Sequence, residues 1–398
     1  MTASTPTTAP TAASERIGEL DVLRGFALFG VFSVHVVTSL YYLHPVDEAI
    51  FAAWTDDAFQ YGLLVICDIL FLDKAITLFS VLFGIGFWVQ MERLEARGEG
   101  FERVYLRRLV VLLGFGLVNK FLIFPGDILV DYALLGFALF FLRRLSARAM
   151  LIVGAALILV VSQLAYGFLG PPWIDGDALD QMLSDGLMAE SYGVWVAQIA
   201  RWHVQDNIVG LGIISLALFV LGRFLIGAWI ARHKLIEKAR VSRPLVKKIA
   251  TACIFFGLVF ESLAMVVWED IWVLPEAFDY VFHAIGVPLL ALGYACLLIV
   301  MCGSPRWAWL SEVFASVGRM ALTAYIAHGV LILVFAHPFG VYIRPALSPA
   351  LSWLVSIGVF LGFSLLCRLW LKTFRFGPLE WVWRSLTYGE VQSLRATA

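Results

Sequence analysis

The sequence predicts an all-α integral membrane protein, a bundle of about ten transmembrane helices with both termini cytoplasmic. Three observations carry this expectation. The chain has too little polar material to cover a soluble core, it contains ten apolar stretches of spanning length, and its basic residues gather on alternate connections.

The composition comes first. Apolar residues make up 61% of the 398, charged residues 15%, and the mean hydropathy is +0.86. A soluble domain carries about a quarter charged residues. A net charge of −1 argues against nucleic acid as a partner and leaves membrane lipids as the expected surroundings. The five cysteines (Cys67, Cys253, Cys296, Cys302 and Cys367) lie scattered in apolar stretches, so neither a disulfide framework nor a bound metal is expected.

Spanning the hydrocarbon core takes about 20 mostly apolar residues in a helix. Ten segments qualify: 18–42, 74–92, 106–124, 126–142, 149–170, 207–231, 249–268, 280–302, 313–336 and 351–372. Residues 58–73 contain Asp68 and Asp73 and read as a surface helix. Residues 1–17 open on the Thr/Ala/Pro-rich MTASTPTTAPTAA and are expected to be a disordered cytoplasmic tail. They lack the charged-then-apolar order of a cleaved signal, so the first apolar segment is expected to remain as an anchor. The transmembrane domain then runs over 18–372, with an outer loop at 171–206. An interfacial tail follows at 373–398, where Pro378 opens a short helix carrying Trp381, Trp383 and Tyr388.

Orientation follows from loop charge. With the N-terminus inside, the inner connections hold 21 Lys and Arg, among them Arg93, Arg97, Arg108 and Arg384. The outer connections hold Lys120, Arg201 and Arg344, which makes 3. The 171–206 loop is instead acidic, with Asp175, Asp177, Asp180, Asp185 and Glu190. A bacterial cytoplasmic (inner) membrane is the expected location.

Ionisable residues inside the spans are expensive, so each is a candidate for function. Those here are Asp21, Arg24, His35, Lys74, Asp127, Asp131, Arg223, Glu261, Arg319, His328 and Arg368. On the first span, Arg24 and His35 are eleven residues apart, hence about 20° out of phase and roughly 16 Å apart along one face. Asp21 is placed to pair with Arg24. Snorkelling of Arg24 and a backbone-bonded His35 are the plainer alternatives. Asp127 and Asp131 lie one turn apart at the start of the fourth span, where the helix dipole favours them and Asp127 would serve as a cap. Lys74 would complete an outer polar cluster with them. Arg319 and His328 are nine residues apart, so an unbroken helix would point them in opposite directions. Arg24, Arg223, Arg319 and Arg368 read as an inner basic vestibule.

Five motifs carry a resemblance. They are LDVLRGFALFG (Leu20 to Gly30), LFSVLFGIGF (Leu78 to Phe87), GDILVDYALLG (Gly126 to Gly136), GRMALTAY (Gly318 to Tyr325) and FGPLEWVWRSLTYG (Phe376 to Gly389). Together they resemble the YeiB-like family of bacterial membrane proteins, over most of the chain. That family resembles membrane acyltransferases, including acyltransferase-3 proteins and heparan glucosaminide acetyltransferase. The spacing of Arg24 and His35 is similar to the acyltransferase-3 signature. Asn119, Ala324 and His328 stand where the pattern commonly has His, Asn and Gln.

The resemblance implies acyl transfer from cytoplasmic acyl-CoA, the donor substrate, to a hydroxyl or amine of a small-molecule or glycan acceptor. Arg24, Arg319 and Arg223 would hold the donor phosphates. His35 would act as base, with Asp127 or Asp131 orienting it. Lys74, Asn119 and His328 would contact the acceptor. Transport of a small polar or anionic solute is the alternative, and homo-oligomerisation stays open. The topology is testable in a background lacking the native cysteines. An Asp180→Cys variant is expected to react with an impermeant maleimide added to intact cells, and labelling only after permeabilisation would invert the map.

Overall fold

The computed structural model describes residues 17–39, 48–98, 100–161, 176–209, 213–269, 271, 274–275 and 277–395. The described residues form helices and contain no strand. Residues 1–16 of the expected tail at 1–17 and the segments 40–47 and 162–175 lie outside them.

In chain order the helices are α1 (Gly18–Ser33), α2 (Glu48–Thr55), α3 (Ala58–Phe71), α4 (Lys74–Ala96), α5 (Phe101–Leu122) and α6 (Leu129–Leu142). Then come α7 (Ala147–Ala156), α8 (Gly176–Leu187), α9 (Tyr192–His203), α10 (Ile213–Arg232), α11 (Leu235–Val241) and α12 (Arg243–Trp268). The last five are α13 (Ala277–Cys302), α14 (Ala308–Arg319), α15 (Ala321–Ala336), α16 (Pro349–Leu371) and α17 (Pro378–Tyr388). Helix starts follow local chemistry. Asp57 accepts from the amides of Phe59 and Gln60 at the head of α3, and Ser146 caps α7 through Ala149. Pro349 and Pro378 occupy the first turns of α16 and α17, and Gly389 ends α17 at φ 78°.

Among the described residues, four helices are long and apolar enough to span singly: Gly18–Thr38, Arg243–Trp268, Phe278–Cys302 and Pro349–Leu371. Two bent pairs join them, Leu216–Arg232 with Leu235–Val241 (56°) and Pro305–Arg319 with Ala321–Ala336 (82°). The expectation of ten uniform spans is therefore too simple. Helix α6 has 14 residues and rises about 21 Å, short of a hydrocarbon core of about 30 Å. Helix α5 carries Arg103, Arg107, Arg108 and Lys120 within its length. The expected 171–206 loop contains α8 and α9, which pack through Leu187, Trp195 and Ile199 onto Leu333 and Phe339.

Burial runs opposite to that of a soluble fold. Large apolar side chains stand exposed along α12 (Phe255, Phe256, Val259) and α16 (Leu354, Leu361, Leu365, Leu369), the pattern lipid requires. Asp21, Lys74, Asp127, Asp131, Arg223, Glu261 and His328 are buried instead. Helix α1 is central, touching α3, α4, α13, α14, α15 and α16. Close approach rests on glycine. A Cβ on Gly25 would lie 1.9 Å from the Phe314 carbonyl oxygen, and one on Gly318 would lie 1.9 Å from that of Asp21. Helices α1 and α14 thus touch backbone to backbone, as small residues permit in membranes. Gly84 and Gly227 hold α4 and α10 together in the same way.

Filling this contact is expected to cost about 1–3 kcal/mol, the usual penalty of overpacking. Gly25→Val should lower the unfolding midpoint of the purified protein, while Gly358→Val, where a Cβ meets open space, should not. Equal midpoints would show that the crossing can relax.

Candidate functional site

A cavity of about 460 Å³ runs between α1, α4, α5, α14, α15 and α17. One end is basic: Arg24, Arg93, Arg97, Arg108, Arg319 and Arg384 line it, against the carboxylates of Asp21 and Glu380. Its middle is apolar and aromatic, walled by Phe79, Leu82, Phe83, Tyr105, Leu112 and Tyr132. Its far end holds His35, Asp73 and Gly126.

The basic end is assembled from five helices. Arg24 donates to Asp21 Oδ1 at 3.0 Å on α1, and Arg319 donates to Glu312 at 2.9 Å on α14. The crossing at Gly25 and Gly318 brings these neighbouring arginines to the same opening. Arg108 of α5 donates to Gln90, and its guanidinium lies 4.3 Å from the centre of the Trp383 ring. Helix α17 closes the wall. Trp383 donates its indole N–H to the Arg108 carbonyl at 3.1 Å. Glu380 accepts from the amide and hydroxyl of Thr323 at 2.9 and 2.6 Å. Burial raises the pKa of the Glu380 carboxyl, and the two Thr323 bonds oppose that shift.

At the far end His35 lies in a wider π-helical turn, Val34–Ser39, that continues α1. Such turns recur at functional positions. His35 Nδ1 is 3.2 Å from His328 Nε2, and His328 stacks on Phe32 at 4.1 Å between ring centres. The expectation that Arg319 and His328 diverge assumed an unbroken helix at 313–336. The chain instead breaks at Met320, bending 82° between α14 and α15. Arg319 therefore stays at the basic end while α15 carries His328 across to His35.

Of the residues singled out in the sequence, Asp21, Arg24, Arg319 and His35 line the cavity. The buried others sit behind it, and Arg368 is exposed on α16, outside the expected basic vestibule. Arg223 does not join a basic vestibule: it is buried, donating to Thr77 Oγ1 at 2.7 Å and to the Phe219 carbonyl at 2.9 Å. Asp127 accepts from Asn119 at 2.7 Å and from the Val130 amide at 3.1 Å, a cap for α6. Asp131 lies 4.0 Å from Lys120. Lys74 does not complete that cluster. Its Nζ bonds Glu261 and the Asp68 carbonyl, and Glu261 also contacts His283 Nδ1 at 3.2 Å. Arg93, Arg97, Arg108 and Arg384 read in the sequence only as loop charge, although the clustering of Arg93, Arg97, Arg103, Arg107 and Arg108 was a readable signal. Asp73, hidden in a surface helix, gave none.

These features define a class: a multi-pass α-helical membrane protein with a charge-graded cavity between its helices. The chain belongs to the DUF418 family, in its YeiB-like group. A family model described as a protein of unknown function (DUF418) matches residues 230–390. The chain is 30% identical over 401 residues to the uncharacterized protein YxaH of Bacillus subtilis, covering 95% of this chain and 96% of that one. It is 29% identical to an uncharacterized 39.9 kDa protein of the amylase 3′ region of Bacillus acidopullulyticus, covering 95% and 96%. It is 27% identical to the uncharacterized protein YeiB of Escherichia coli, covering 94% and 96%.

The ion pair behind the cavity has a testable cost. Lys74→Met leaves Glu261 buried without its cation and is expected to destabilise by about 3–5 kcal/mol. The double variant Lys74→Met/Glu261→Met should recover most of that loss in thermal unfolding. No recovery would mean that the two side chains do not act as a pair.

Proposed function

We propose that the protein is a membrane acyltransferase. It moves an acyl group from cytoplasmic acyl-CoA to a hydroxyl or amine acceptor at the membrane or its outer face. The observation that carries this reading is that one cavity is lined both by Arg24 and Arg319 and by His35. Loop charge assigns the basic end to the cytoplasm. There the guanidinium groups would chelate the donor's phosphates, a task for which their planar geometry suits them. The aromatic middle takes the uncharged arm and delivers the thioester towards His35.

For His35 Nε2 to act as base, Nδ1 keeps its hydrogen and donates a hydrogen bond to His328 Nε2. His35 then accepts the proton of the acceptor hydroxyl or amine as the oxygen or nitrogen bonds to the thioester carbon. The carbon–sulfur bond breaks, and the same proton passes from His35 to the departing sulfur. The products are the acylated acceptor and the free thiol. His328 thus positions His35, and Arg223, Asp127, Asp131, Lys74 and Asn119 support the walls.

Binding and turnover separate the roles. Arg24→Ala and Arg319→Ala are each expected to weaken coenzyme A binding about tenfold, or about 1.4 kcal/mol. His35→Ala should leave that affinity unchanged and abolish acyl-CoA consumption, with His328→Ala doing less harm. Retained turnover in His35→Ala would sink the reading. Saturable counterflow of a solute into vesicles without acyl-CoA consumption would put transport of a small polar or anionic solute in its place.

A further inference from the structure

The far end of the cavity carries a carboxylate that the acyl-transfer reading does not use. Asp73 stands between α3 and α4 with φ 60° and ψ −20°, a left-handed conformation. Asp tolerates that region better than most side chains, and such strain persists where the surroundings impose it. The Lys74 amide closes a tight turn here onto the Leu72 carbonyl at 2.7 Å. Thr77 bonds the Asp73 carbonyl through its amide at 3.0 Å and its hydroxyl at 2.5 Å.

The side chain is held as firmly as the backbone. His283 Nε2 contacts Asp73 Oδ2 at 3.0 Å, and its Nδ1 contacts Glu261, whose charge Lys74 balances. Gly286 makes room for this arrangement: a Cβ there would lie 2.4 Å from Glu261 Oε1. Asp73 itself lines the cavity, with 40% of its side chain accessible. Its Oδ1 has no hydrogen-bond partner among the described residues. A carboxylate oriented from behind, with one oxygen open to a cavity, is a hydrogen-bond acceptor waiting for a donor.

We propose that Asp73 is the contact of a second subsite, which takes a small ligand bearing a hydroxyl or ammonium group and disfavours an anion. The cavity is then graded along its length. Guanidinium groups at one end hold an anionic partner, and a carboxylate at the other selects a neutral or cationic one. That this ligand is the acyl acceptor rests on the acyl-transfer reading; the binding site itself does not.

Ethanolamine and glycolate test the charge preference, being two-carbon hydroxyl compounds of opposite charge. With the full chain in nanodiscs, ethanolamine should raise the unfolding midpoint and glycolate should not. Asp73→Asn, which keeps the size and removes the charge, should weaken ethanolamine binding about tenfold. Coenzyme A affinity within twofold of the parent protein would show that the variant keeps its fold and its basic end. Equal responses to the two probes, no response to ethanolamine, or an unchanged affinity in Asp73→Asn would overturn the subsite. If ethanolamine discriminates as expected but coenzyme A binds neither protein, the donor reading falls and the Asp73 subsite stands.

Discussion

The crossing of α1 and α14 at Gly25 and Gly318 governs the geometry of the whole cavity. Two backbones in contact leave no room for adjustment, because neither glycine has a side chain that can yield. Arg24 and Arg319, each one residue from its glycine, are thereby delivered to a common opening. The break at Met320 follows directly afterwards and turns α15 towards the other end of α1. One contact and one bend thus place a basic mouth and a histidine pair on the same space.

Lipid imposes the second constraint. A charge facing hydrocarbon has nothing to solvate it, so ionisable groups must pair within the protein or face an aqueous cavity. Both solutions are present. Lys74, Glu261 and His283 form a connected set that reaches the cavity through Asp73. Asn119 and Asp127 close the head of α6 instead. The arginines at the basic end take the second route, bonded to Asp21, Glu312 and Gln90 and yet lining open space.

The C-terminal helix belongs to the cavity as much as the spans do. Its latch onto Thr323 and the stacking of Trp383 beneath Arg108 make α17 a wall at the basic end. This gives a physical reason for the density of its motif. Glu380, Trp383, Arg384 and Tyr388 all line the cavity from one side of this helix.

By itself the sequence determined the helical membrane class and the C-terminal helix opened by Pro378. These follow from hydropathy, length and local helix signals, which are properties of neighbouring residues. It also placed Arg24 and His35 on one face, because phase along a single helix is local arithmetic. Only the tertiary structure decided which charges are partners. Lys74 reads equally well beside Asp127 as beside Glu261, 187 residues away, and helix packing alone makes the choice. The same holds for Arg223, which depth alone assigned to the basic end and which packing buried against Thr77. Sequence gives no span length where hydropathy runs on through a bend, as at Met320, because a window average is blind to a change of direction.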